Sequence, residues 1–185
     1  QALFFMQCGF RLHDTMIYNR FGAYPNATRY RGDFEYMFVF SKGKPKTFNG
    51  IKDRKNTTSG TMTSGTVRQK SGDLVRPKSF RKIKEYGCRG NIWQFIAGLN
   101  CSTKDAVAFK HPAIFPEKLA NDHIISWSNT NDIIYDPFMG SGTTAKMAIL
   151  NNRNYIGSEI SSEYCEICKV RISDTIATQN SKLFN

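Results

Sequence analysis

Asp136-Pro137-Phe138-Met139-Gly140-Ser141-Gly142-Thr143-Thr144 is the stretch on which the fold turns. A short apolar run, Ile133-Ile134-Tyr135, leads into it and reads as a strand. A helix-prone run, Thr144-Ala145-Lys146-Met147-Ala148-Ile149-Leu150, leads out. The two glycines remove side chains, so the backbone can turn sharply and come close to a ligand. The acidic residue stands at the C-terminal end of a strand, where open α/β sheets bind ligands. Strand, acid, glycine turn and helix together predict the floor of a nucleotide-like cofactor site.

A second acid sharpens the expectation. Asn154-Tyr155-Ile156-Gly157-Ser158-Glu159-Ile160 reads as the next parallel strand, ending in Glu159. A carboxylate about 20 residues beyond the glycine turn is placed to accept hydrogen bonds from ribose hydroxyls. A dinucleotide fingerprint requires a third glycine, which does not follow. A phosphate loop requires Gly-Lys-Ser/Thr, which is absent. Asp136 would repel a pyrophosphate but suits a cationic or zwitterionic cofactor.

Asp-Pro-Phe-x-Gly-Ser-Gly-Thr resembles the S-adenosylmethionine motif of amino-group DNA methyltransferases, which act on adenine N6 or cytosine N4. Just upstream, His111-Pro112-Ala113-Ile114-Phe115-Pro116-Glu117-Lys118-Leu119 is similar to that family's other cofactor motif. The resemblance implies a class I (Rossmann-like) α/β fold. It also implies a cofactor site for S-adenosyl-L-methionine made of Asp136, Pro137, Phe138, Gly140, Ser141, Gly142, Thr143 and Glu159. His111, Phe115 and Pro116 would lie toward its methionine end. The order of the motifs matches the permuted beta class, in which the cofactor half follows the catalytic half. The family's Pro-Pro-aromatic catalytic motif is absent, since no Pro-Pro occurs in the chain. The expectation is therefore one methyltransferase domain over 1–185, truncated at its N-terminus and lacking two central strands. Alone it would be inactive, and an upstream segment, a second copy or a partner would complete it. No metal is implied. Adenine is favoured over cytosine on frequency alone, within a restriction-modification setting. The alternatives are a non-catalytic nucleic-acid-binding module on the same fold, and an RNA or protein methyltransferase.

Composition supports a nucleic-acid partner. The 185 residues carry a net charge of +11, with 40% hydrophobic and 13% aromatic content, enough for a globular core. From Lys44 to Lys110 there are 15 Lys/Arg against 4 Asp/Glu, so this segment accounts for the whole excess. A localised basic surface favours a polyanion through phosphate contacts and counterion release. Residues 44–110 are therefore the expected target-recognition insert for double-stranded DNA, with Arg68, Lys70, Arg76, Lys78, Arg81, Lys82, Lys84 and Arg89 as its contacts. Asn56 to Thr66 is low in apolar content and reads as a flexible loop. No apolar run approaches the roughly 18 residues of a membrane span. The opening Gln1–Met6 lacks a basic leader, and the expectation is a cytoplasmic protein of prokaryotic or phage-like type. Cys165-Glu166-Ile167-Cys168 lacks the second ligand pair of a zinc site and reads as reduced thiols on one helix.

The remaining elements follow from pattern. Residues 1–10 predict a helix stopped at Gly9, and Arg11–Arg20 a strand. Phe34–Phe40 predicts a strand buried on both faces. Trp93 reads as a packing residue. A helix is expected from Glu117 to about Ser126, with Pro116 in its first turn and Leu119, Ala120, Ile124 and Trp127 turned inward. Replacing Arg76, Lys78, Arg81 and Lys82 together with alanine is expected to flatten the slope of log affinity against log salt by roughly 3–4 units. Titration of duplex DNA by the full-length protein at stepped salt checks it.

Overall fold

The computed structural model describes residues 2–20, 27–28, 30–63, 65–76, 79–98 and 100–183. The chain forms two compact units, one of residues 1–49 with 91–185 and one of residues 50–90.

The larger unit opens with α1 (Ala2–Gln7). Gly9 stops this helix at φ +89°. Gly9 N donates to Met6 O and Phe10 N to Phe5 O, the paired bonds of a Schellman cap. Phe10 packs edge-on against Phe5, the hydrophobic contact that accompanies such a cap. β1 (Arg11–Asn19) then pairs antiparallel with β2 (Phe34–Ser41), with a bulge between Leu12 and Asp14.

The smaller unit is a basic antiparallel ribbon. β3 (Arg54–Lys55), β4 (Val67–Arg68), β5 (Leu74–Val75) and β6 (Tyr86–Gly87) pair as β3 with β6 and β4 with β5. Between them, Thr63 N donates to Arg81 O and Ile83 N to Thr61 O, which continues the pairing. Within the Ser/Thr-rich stretch read as a flexible loop, Thr61 to Thr63 join this pairing, while residues 57–60 form turns. Composition missed this because a ladder uses backbone N–H and C=O groups, which do not depend on side-chain type. No described residue of 50–90 is buried, and Val67, Leu74, Val75 and Phe80 are all exposed.

The chain re-enters the larger unit at β7 (Ile92–Gln94), parallel to β1, giving the order β2-β1-β7. Met16, Tyr18, Trp93, Phe95 and Leu119 form the core beneath this sheet, with Met37, Val39 and Trp127 partly buried against it. Trp93 is therefore a packing residue. β2 departs from expectation, because it is not buried on both faces. Phe34, Tyr36 and Phe38 line an exposed aromatic face, while Met37 and Val39 pack inward. A continuous apolar run shows that two faces could be covered, but only neighbouring layers cover them. Among the described residues β2 has β1 as its one strand partner.

α2 (Glu117–Trp127) buries Leu119, Ala120 and Ile124 as expected, with Trp127 half-buried. Pro116 occupies its N-cap position, one residue before the expected first turn. β8 (Ile133–Asp136), α3 (Thr143–Leu150), β9 (Asn154–Gly157) and α4 (Ser162–Leu183) complete the unit. β8 and β9 are parallel, and α3 crosses between them. Ala120, Ile124, Met147 and Ala148 fill the space between α2 and α3, with Ile134 and Tyr155 of the strands against them. The opposite face of this pair leaves Ile133, Tyr135 and Ile156 exposed. Among the described residues no helix is long and apolar enough to cross a membrane.

Candidate functional site

β8 and β9 end level with each other, since Asp136 and Gly157 are register partners. The chain leaves β8 at this edge and turns through residues 137–142 into α3. Gly142 N donates to Met139 O, and Met139 N reaches across to Ser158 O, both at 2.9 Å. Gly140 and Gly142 have φ of +51° and +80°, a left-handed region that side chains disfavour. Space imposes a second limit. A Cβ on Gly140 would meet His111 Nε2 at 3.1 Å, and one on Gly142 would meet Cys168 Sγ at 2.7 Å and its Cα at 3.3 Å.

Two carboxylates hold the turn. Asp136 accepts the Phe138 N–H at 2.9 Å on one oxygen and the Thr144 hydroxyl at 2.6 Å on the other, joining strand end to helix start. β9 stops at Gly157 rather than ending in Glu159, and the chain bends to bring Glu159 back over the turn. Glu159 Oε2 accepts the Gly140 N–H at 2.7 Å and Oε1 the Ser161 N–H at 2.9 Å. The Ser161 and Gly140 amides hold its carboxyl below the usual carboxylate range. His111 closes one side, its ring 4.2 Å from that of Tyr164. Its Nδ1 accepts the Ala113 N–H at 3.1 Å, so in the neutral ring Nε2 carries the proton and faces Gly140.

The structure thus brings together Asp136, Gly140, Gly142, Glu159 and His111. Phe138 stands exposed at the mouth, 86% of its surface in solvent, beside exposed Pro137. Pro116 is buried at the start of α2. Phe115 lines an apolar cavity of about 480 Å³ together with Met37, His123, Trp127, Ile134 and Thr144. Burial lowers the pKa of the His123 imidazole there, against the pull of Asp122.

Ser141 and Thr143 point inward to a group that the sequence did not single out. Arg171 of α4 is completely buried, and its NH1 donates to Ser141 O at 2.7 Å, Ser141 Oγ at 3.1 Å and Thr143 Oγ1 at 3.2 Å. Its Nε bonds Asp105 at 2.9 Å and its NH2 bonds Glu117 at 2.7 Å. Lys146 of α3 bonds the same two carboxylates at 2.7 and 2.8 Å. Thr103 adds its hydroxyl to Glu117 at 2.5 Å. Burial opposes ionisation of Asp105, yet the hydrogen bonds from Lys146 and Arg171 outweigh it and hold the carboxyl below its ordinary value. One signal was available: among the described residues Ile167, Cys168, Arg171 and Thr175 are the buried positions of α4, so a charge occupies its apolar stripe.

The basic residues expected to meet DNA lie on the ribbon. Arg68, Lys70, Arg76, Arg81, Lys82 and Lys84 are exposed. Lys78 lies outside the described residues. Arg89 is engaged locally in an ion pair with Asp53. Among the described residues no group of three or more His, Cys, Asp or Glu could hold a metal ion, and Cys165 and Cys168 are free thiols.

The sequence profile of the N6/N4 methyltransferases, described as DNA methylase, matches residues 1–170. The chain belongs to this DNA methylase family. It is 56% identical over 179 residues to the orphan methyltransferase M.BamHII of Bacillus amyloliquefaciens, covering 95% of this chain and 68% of that protein. It is 40% identical over 133 residues to the DNA adenine methyltransferase YhdJ of Escherichia coli K12, covering 71% of this chain and 41% of that protein. Among solved structures it resembles the M1.HpyAVI–SAM complex, with TM-score 0.58 and 25% identity over 92% of this chain and 67% of that one. It also shares its fold with the cytosine-N4-specific PvuII DNA methyltransferase, at TM-score 0.62 and 19% identity, covering 94% of this chain and 59% of that one. The α/β fold is therefore that of the S-adenosylmethionine-dependent DNA methyltransferases. The methylase chain spans about two thirds or less of each of these four proteins.

The turn of this methylase should tolerate no side chain at Gly142. Gly142→Ala is expected to destabilise the full-length protein by about 2–4 kcal/mol, from left-handed strain plus overpacking. Adding Cys168→Ala should restore only part of the loss, since the strain and the crowding against the α4 backbone at position 168 remain. Denaturant unfolding of the single and double variants measures both.

Proposed function

We propose that this chain is the C-terminal part of a permuted amino-group DNA methyltransferase that uses S-adenosylmethionine and methylates adenine N6. The observation that carries the cofactor assignment is the convergence of Asp136, Glu159 and His111 on a glycine turn at the ends of two parallel strands. The donor set fits that cofactor. Two carboxylates suit ribose hydroxyls and a sulfonium, the bare glycines admit close approach, and the Glu159 carboxylate can accept more bonds than its backbone partners supply. S-adenosylmethionine supplies an electrophilic methyl group, and the role of these residues is to hold and orient it. Glu159 takes the ribose, while His111, Phe115 and Pro116 lie toward the methionine portion.

Three features support the reading that a preceding segment completes the enzyme. β2 and β8 each have one strand partner among the described residues. The apolar cavity is lined from both sides, by Met37 of β2 and by Ile134 of β8. The chain covers 68% of M.BamHII and 41% of YhdJ. Two strands inserted between β8 and β2 would satisfy both edges and fill that space. The Pro-Pro-aromatic motif, absent from these 185 residues, would lie on that segment.

DNA is assigned to the ribbon of residues 50–90, which carries eleven Lys/Arg against three Asp/Glu. A two-stranded ribbon is a shape that the major groove admits. Adenine is favoured over cytosine through the likeness to YhdJ, named a DNA adenine methyltransferase.

Calorimetric titration of the full-length protein with S-adenosylhomocysteine should show binding that Glu159→Ala weakens at least tenfold, about 1.4 kcal/mol. Unchanged affinity would remove Glu159 from the site. The 185-residue chain alone, incubated with unmethylated DNA and radiolabelled cofactor, should leave the DNA unlabelled. Reproducible incorporation would place the catalytic residues within this chain.

A further inference from the structure

Arg171 is buried, yet its guanidinium reaches both the glycine turn and the segment that carries His111. The glycine turn is gripped by groups of opposite charge. Glu159 accepts the Gly140 N–H, and Arg171 donates to the Ser141 carbonyl at 2.7 Å. The segment that carries His111, Phe115 and Pro116 is gripped at its two ends. Asp105 precedes its 3-10 turn (Ala106–Lys110), Glu117 opens α2, and both carboxylates accept from Arg171. One rigid, planar guanidinium therefore spans turn and segment, which are distant in sequence.

We infer that Arg171 is a positioning residue for the cofactor, setting through the Ser141 carbonyl and the Asp105–Glu117 pair how the glycine turn stands against the His111–Pro116 segment. This role rests on the cofactor function proposed for the turn. Chemistry favours arginine over lysine here. A guanidinium presents its donors in a fixed fork, whereas an ammonium is a point charge on a flexible stem. Lys146 already supplies such a point charge to the same carboxylates, without reaching Ser141 in any bond of the structure. A mere need for positive charge would be met by a second lysine. The reach to the turn's carbonyl and both carboxylates at once requires the fork.

The test uses the full-length protein with Arg171→Lys and, separately, Glu117→Gln. Arg171→Lys keeps the charge and loses the fork; Glu117→Gln keeps the shape and weakens the grip on the segment. Binding of S-adenosylhomocysteine, KM for cofactor and for DNA, kcat and thermal unfolding are measured together. Arg171→Lys should raise the cofactor Kd and KM at least tenfold, with kcat at saturating cofactor and KM for DNA changed less than twofold. Glu117→Gln should move the same two quantities in the same direction. If both variants fold and bind cofactor as the parent does, while Glu159→Ala still weakens binding, the positioning role is overturned and the cofactor function stands. If the unsubstituted protein binds no S-adenosylhomocysteine, the cofactor function falls and the positioning role with it. Failure of both variants to fold, or parallel loss of cofactor and DNA affinity, would assign the cluster to general stability and overturn positioning as well.

Discussion

A guanidinium removed from water must place every N–H on an acceptor inside the protein, and Arg171 does so on groups from three distant stretches of chain. Isolated, a charge at this depth would cost several kcal/mol after relaxation. With Asp105 and Glu117 facing Arg171 and Lys146, the cluster balances two positive against two negative charges. Deleting one member of such a set strands the others and typically costs about 3–5 kcal/mol. The arrangement therefore tolerates few alternatives. α4 must lie where Arg171 meets Ser141, and the chain between Asp105 and Glu117 must close over it.

The glycine turn inherits its shape from this arrangement and from Glu159 on its other side. Its conformation is unusual at two residues, and its backbone groups are shared among Asp136, Ser158, Glu159 and Arg171. Preorganisation of this kind means that a ligand meets donors and acceptors already in place, so less ordering entropy is lost on binding. The amides that Glu159 accepts stabilise its charged form and lower its pKa. The same carboxylate thus braces the turn and presents negative charge beside it.

Hydrophobic burial supports the larger unit unevenly. α2 and α3 seal one face of β8 and β9, while the far face leaves Ile133, Tyr135 and Ile156 in water. β2 repeats the pattern with Phe34, Tyr36 and Phe38. Contiguous exposed apolar faces of this kind mark surfaces suited to contact with another element or molecule. The ribbon of residues 50–90 stands at the other extreme, with no buried described residue, and depends on its backbone ladder.

The periodicity of β8, α3 and β9, the stop at Gly9 and the inward face of α2 were legible in the sequence, because they obey local rules: alternation, helical spacing and glycine's freedom at positive φ. The glycine turn and its two acids were legible too, since a strand-turn-helix of fixed spacing leaves Asp136 and Glu159 little choice of place. What the sequence could not reveal depends on partners far along the chain. Arg171 was not singled out in the sequence, because its role depends on α4 docking against Asp105 and Glu117. Ser141 and Thr143 were expected at the cofactor, and the sequence did not show that their hydroxyls also meet that guanidinium. Phe34–Phe40 looked buried on both faces, but the covering of a face belongs to its neighbours. Within the polar stretch from Asn56 to Thr66, the pairing of Thr61 to Thr63 was not legible, because a ladder held by backbone groups leaves little mark in side-chain composition. Local geometry is written in short spacings, whereas burial and charge pairing are settled only when distant segments meet.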